Sequence, residues 1–134
     1  MKNKEVKRYY KSGQLERHHL VDRNDDDCGE CRIYHGNGKL WWHKFSLSGC
    51  HYGEVKWFSK DGTLCDHYLV DSEGNELATV IENDKPSTHS EEELIQIAKD
   101  NNLPLLSELP KTEAELTHWN LKYPDFPCLP NESE

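Results

Sequence analysis

One phrase recurs three times in the chain: Tyr9-Tyr-Lys-Ser-Gly13-Gln-Leu15, Tyr34-His-Gly-Asn-Gly38-Lys-Leu40 and Phe58-Ser-Lys-Asp-Gly62-Thr-Leu64. Each copy reads aromatic-x-x-x-Gly-x-Leu, and the copies stand 25 and then 24 residues apart. Self-similarity at a fixed period restricts a chain to a repeat architecture, in which one supersecondary unit buries its apolar surface against the next.

The phrase itself specifies a hairpin. Ser12-Gly13, Asn37-Gly38 and Asp61-Gly62 place a small polar residue before glycine, a pairing suited to tight two-residue turns that need positive φ. Strand formers precede each turn (Tyr9-Tyr10, Ile33-Tyr34, Trp57-Phe58), and alternating segments follow at 15–21 and 40–45. Between copies the chain must reverse again, at 24–29 and 48–53, and each reversal ends in a Gly-Glu pair, Gly29-Glu30 and Gly53-Glu54. A turn around Gly74, only 12 residues after Gly62, marks a terminal half-unit. Strands are therefore expected near 5–11, 14–22, 29–35, 39–47, 53–59, 63–70 and 76–82, as one antiparallel meander of seven.

With its Gly-Glu pair included, the pattern Gly-Glu-x-x-[Ile/Trp]-[Tyr/Phe]-x-x-x-Gly-x-Leu resembles the MORN repeat. The 24-residue spacing and the aromatic before an Asn-Gly or Asp-Gly turn resemble the variant repeat of YwqK-like bacterial antitoxins. The resemblance covers residues 5–82, about 60% of the chain. It implies a mainly β fold of hairpin repeats, and a protein that binds and neutralises another protein, as an antitoxin, an immunity protein or a phage-encoded inhibitor of a bacterial defence protein does.

Beyond this repeat region, taken as 1–84, the segment 85–134 has a different character. Ser90 and Glu93 form a capping box ahead of Leu94, Ile97 and Ala98, which share one helical face, and Glu91, Glu92 and Glu93 sit at the positive end of that helix. Thr112 and Glu115 repeat the capping spacing before a stripe of Leu116, Trp119 and Tyr123. Closely spaced prolines then force 124–130 to be extended. Two short helices and the proline segment are expected to pack on the sheet and cap the array, giving an α+β whole.

Charge is segregated in the same way. Residues 1–85 hold 13 Lys/Arg against 15 Asp/Glu, whereas 86–134 hold 3 against 10, so −7 of the net −9 belongs to the tail. Such a surface disfavours nucleic acid and anionic membranes and suits a basic protein partner, such as a toxin or a nuclease. No run of residues approaches the length of a membrane span. The five cysteines, an odd number, fit reduced thiols in a cytoplasmic protein.

Three histidines, His18, His43 and His67, each lie five residues after a turn glycine. Equivalent strands of a meander stand about 9.5 Å apart, too far for three such ligands to share one zinc ion. They are read as structural residues beside an apolar face that includes Leu20, Phe45 and Leu69. Cys28 and Cys31 have metal-like spacing and could form half of a zinc site, with Cys50 and His51 or Cys65 and His67 as the other half, but that second half lacks paired spacing. No nucleophile motif, phosphate-cradling loop or metalloprotease helix is present, so a non-catalytic role with no cofactor is expected. The candidate partner-binding residues are the aromatics Trp41, Trp42, Trp57 and Trp119 and the acidic Asp25, Asp26, Asp27, Glu91 and Glu92. Open edge strands would also allow a homodimeric scaffold in place of a monomer.

Overall fold

The computed structural model describes residues 4–123. The strands β1 (Lys4–Tyr9), β2 (Leu15–Val21), β3 (Asp27–Tyr34), β4 (Leu40–Leu47), β5 (Cys50–Phe58), β6 (Leu64–Val70), β7 (Glu76–Glu82) and β8 (Lys85–Pro86) lie side by side in chain order, every neighbouring pair antiparallel. The mainly β meander follows the expected plan, with a short eighth strand added by Lys85–Pro86 at the start of the tail. Helices α1 (Glu91–Asp100) and α2 (Glu113–Lys122) follow, joined through a 3-10 turn at Leu106–Glu108. The proline segment 124–130 lies outside the described residues.

The turns within the recurring phrase are not of the two-residue kind, unlike those at Ser48-Gly49 and Asn83-Asp84. His35 N–H donates to Lys39 O (2.9 Å) and Gly38 N–H to His35 O (3.0 Å), and the same pair of bonds closes the turns at 10–14 and 59–63. Gly38 has a φ of 91°, while Asn37 has no positive φ. That is a three-residue turn ending in a glycine bulge. The small polar residue serves by hydrogen bonding instead: Asn37 Oδ1 accepts from Lys39 N–H (2.9 Å) and Asp61 Oδ1 from Thr63 N–H (3.0 Å). The bulge places the aromatic of each copy opposite its leucine, as Tyr9 with Leu15, Tyr34 with Leu40 and Phe58 with Leu64. The recurring phrase is thus the closed end of a hairpin. Neighbouring ends are then stitched together, since Tyr10 Oη donates to Tyr34 O (2.6 Å) and His35 Nε2 bonds Phe58 O (3.1 Å).

The core lies between one face of the sheet and the tail. Phe45, Tyr52, Leu69 and Ala78 from the strands form a single cluster with Leu94, Ala98, Leu103, Leu105, Leu106, Trp119 and Tyr123. Helix α1 carries the expected capping box, with Glu93 N–H donating to Ser90 Oγ (3.1 Å) and Ser90 N–H to Glu93 Oε1 (2.7 Å). In α2 the box is shifted: Glu115 N–H donates to Thr112 Oγ1 (3.1 Å), but Glu115 Oε1 accepts from Lys111 N–H (2.7 Å), one residue before the cap. Leu116, expected in the buried stripe, is 39% exposed, while Trp119 and Tyr123 are buried. The sheet edges are guarded, β1 by Lys4, Glu5, Lys7 and Arg8 and β8 by its brevity and Pro86.

The tail meets the sheet most closely at Gly53, which has a φ of 76°. A Cβ there would lie 2.8 Å from both Cγ and the carbonyl oxygen of Pro104. Gly74 has a φ of 85° but nothing within 4 Å of its would-be Cβ. Gly74→Ala should therefore cost only the left-handed backbone penalty of about 1–2 kcal/mol, whereas Gly53→Ala adds steric overlap. Urea unfolding should place Gly53→Ala at least about 1 kcal/mol below Gly74→Ala; equal losses would mean that the tail does not pack on β5 in this way.

Candidate functional site

Opposite residues of antiparallel strands share a face, so the register divides the sheet into two surfaces. On the first, each of three hairpins carries the same quartet: Glu5, Lys7, His18 and Leu20; Glu30, Arg32, His43 and Phe45; Glu54, Lys56, His67 and Leu69. Within each quartet the histidine bonds the glutamate 13 residues before it. His18 Nε2 lies 2.5 Å from Glu5 Oε2, His43 Nε2 3.0 Å from Glu30 Oε2, and His67 Nε2 2.5 Å from Glu54 Oε2. An ionised carboxylate only accepts, so Nε2 of each ring carries the proton. The intervening residues Arg32 and Lys56 separate the histidines of neighbouring copies, with His18 opposite Arg32 and Lys56 opposite His67.

Copies diverge in what else each glutamate holds. Glu5 is 40% exposed in its side chain, while Glu30 and Glu54 are buried at 2% and 4%. Glu30 is also paired with Arg32 (2.7 Å). Glu54 instead reaches the tail, its Oε1 accepting from Leu106 N–H (2.7 Å) while its own backbone N–H donates to Pro104 O (3.1 Å). Burial, the largest influence on Glu54, pushes its pKa up. The bonds from His67 and Leu106, aided by the charges of His67 and Lys56, outweigh burial and hold the carboxyl below its ordinary range.

The second face has a different chemistry. One row across it runs Arg17, Ile33, Trp42, Trp57, and the next runs His19, Cys31, Lys44. Trp42 and Trp57 are directly opposed with ring centroids 6.1 Å apart, and Trp42 meets His51 edge-on at 5.4 Å. Both indoles are half-buried. Lys44 places its ammonium 5.6 Å from the Trp42 ring centre and is only 9% exposed. Arg17 pairs with Asp27 (2.9 Å), which also lies 3.5 Å from His19 Nε2. Burial, followed by Arg17, lowers the His19 pKa against the pull of Asp27. Burial lowers that of Lys44 and raises that of Cys31. No residue of this face from β2 to β4 belongs to the cluster that includes the helices.

The expected site residues scatter over these surfaces. Asp25 (φ 65°) stands where a glycine stands in the turns at 10–14, 35–39, 59–63 and 71–75, and Asp26 O accepts from Asp22 N–H (2.9 Å), so both build the first inter-unit turn. Asp27 joins the second face through Arg17. Trp41 stacks on His35 at 4.7 Å, while Trp42 and Trp57 meet on the second face. Trp119 is core, stacked on Phe45 at 5.7 Å. Glu91 and Glu92 are exposed in the first turn of α1. Cys31 is buried with Arg17 Nη2 3.9 Å from its sulfur, Cys28 is half-buried and Cys50 is exposed. Among the described residues no three His, Cys, Asp or Glu side chains gather as a metal site. The sequence reading missed the glutamate partners of the histidines, although the constant 13-residue offset was present in all three copies, and it missed the Lys44 cluster, which carries no periodic signal.

Compared with protein-family models, curated proteins and solved structures, the chain matches none. No helix among the described residues is long and apolar enough to cross a membrane.

His51, bonded to Tyr68 Oη (3.2 Å), gives this face a pH dependence. Burial, then the nearby Lys44 charge, lowers its pKa from 6.5 to about 4. The unfolded chain therefore binds the extra proton between those values, and stability present above pH 6.5 falls as the pH drops towards 4. His51→Phe should flatten part of that decline in urea unfolding measured across the window; an unchanged acid limb would contradict the assignment.

Proposed function

We propose that the chain is a non-catalytic protein-binding module, a β-repeat scaffold that recognises and neutralises another protein through the sheet face opposite its helical tail. The observation that carries this reading is the cross-strand Trp42–Trp57 pair, half-buried on that face and set beside His51 and Lys44. Paired indoles offer a large apolar area at little cost in side-chain freedom, which is why aromatic clusters dominate binding energy. The other repeated groups are absorbed in structure: the Glu–His pairs hold hairpins together, and the phrase aromatic-x-x-x-Gly-x-Leu closes turns. The neutralising role rests on the resemblance to the antitoxin repeat and on the lack of a catalytic motif in the sequence.

The test is affinity isolation from the native cell with the wild-type chain and with Trp57→Ala. The wild-type chain should retain a stoichiometric protein partner, and Trp57→Ala should weaken that complex by about 2 kcal/mol or more, as truncation of a binding hot spot does. Recovery of no partner, or equal recovery with both proteins, would refute this use of the face.

A further inference from the structure

The middle hairpin end holds the chain's one Asn-Gly pair, Asn37-Gly38. Glycine sets no side chain beside its nitrogen, so in this dipeptide the backbone nitrogen approaches the preceding carboxamide most freely. The folded turn engages every group that such an attack would use. Gly38 N–H, the nucleophile, donates to His35 O (3.0 Å). The Asn37 carboxamide is held at both ends, Nδ2 donating to Lys60 O (2.9 Å) and Oδ1 accepting from Lys39 N–H (2.9 Å). Both neighbouring turns support it: Lys39 Nζ donates to Asp61 O (3.2 Å), and the Gln14 side chain lies against Gly38, its Oε1 3.1 Å from where a Cβ would stand. Residues 36–39 are nevertheless exposed, so water reaches them.

We propose that Asn37 is a gated deamidation site, kept unreactive by these turn bonds and reacting when the middle hairpin end opens. In the open turn Gly38 N bonds to Asn37 Cγ as the Cγ–Nδ2 bond breaks. The side-chain nitrogen leaves as ammonia, taking the Gly38 proton, and water opens the cyclic imide at one carbonyl or the other to give aspartate or isoaspartate. Either product loses the donor to Lys60 O. Aspartate keeps the backbone path and an acceptor for Lys39 N–H, an arrangement already present in the third copy, where Asp61 Oδ1 accepts from Thr63 N–H (3.0 Å) and from Ser59 Oγ. Isoaspartate instead routes the backbone through the side-chain carbon, which lengthens the turn and removes the bond from Gly38 to His35. The third copy's own Asp61-Gly62 pair is less reactive. Ser59 first, and then Thr63, hold the Asp61 carboxyl down to about 2, so it stays ionised and is a poor target for the nitrogen of Gly62. This chemistry is independent of any partner.

The full-length chain is kept at mildly alkaline pH, folded and in guanidinium chloride, and its tryptic peptide 33–39 is weighed at intervals for the replacement of NH by O. Hydrogen exchange at the Gly38 amide is measured under the folded conditions and in the free peptide 33–39. Deamidation of the unfolded chain should run at least about tenfold faster than that of the folded chain, and the folded Gly38 amide should exchange at least about tenfold more slowly than in the peptide. In the folded chain Asp61 should form isoaspartate more slowly than Asn37 does. A smaller difference in either of the first two measures, or isoaspartate at Asp61 as fast as at Asn37, would overturn the assignment of a gated site at Asn37.

Discussion

A single buried carboxylate joins the two halves of this protein. Glu54 accepts from His67 Nε2 on the neighbouring strand and from Leu106 N–H in the tail, so its two oxygens tie the repeat sheet to the segment that covers it. Its neighbour Gly53 allows the approach, since only a residue without a side chain lets Pro104 come this close. The core of strand and helix side chains forms around that junction. Truncating such a carboxylate would leave His67 and the Leu106 amide without their acceptor in a dry environment, the costly outcome for buried polar pairs.

The same pair of residues recurs in each hairpin, and its environment changes with position. At the open edge Glu5 remains partly hydrated; in the middle Glu30 is shared with Arg32; at the tail junction Glu54 is fully enclosed. One repeated chemical unit thus acts as an edge contact, an internal strut and a clasp according to what packs upon it. Covering this face with the tail leaves the opposite face to carry Trp42, Trp57 and Lys44. Scaffold and proposed recognition surface are separated across the thickness of one sheet.

Much of the fold was legible in the sequence because its determinants are local and periodic. Turn glycines at a 24- to 25-residue spacing and alternating strands locate seven of the strands, and Ser90 with Glu93 locates α1. What escaped was set by register. The glycine bulge that pairs Tyr34 with Leu40 depends on a three-residue turn, which Asn-Gly alone does not distinguish from a two-residue one. The Glu–His pairs were present as an offset of 13 residues, but their meaning depends on which strand positions oppose one another. Of the candidate site residues, Trp42, Trp57 and Asp27 fall together on one face, while Trp119 is absorbed by the core and Asp25 by a turn. Lys44 gave no signal because a single lysine in a strand looks like any solvated lysine until burial is known.

The central claim is that Glu54 pairs with His67 and also holds the tail through Leu106. Comparing Glu54→Ala with Glu5→Ala by urea unfolding and by hydrogen exchange at the Leu106 amide tests it most directly. Glu54→Ala should lose about 3–5 kcal/mol and release Leu106 N–H to exchange. Glu5→Ala, at a partly exposed pair, should lose no more than about 1 kcal/mol and leave that amide protected. Equal losses from the two variants, or a Leu106 amide as protected in Glu54→Ala as in the wild-type chain, would contradict the account.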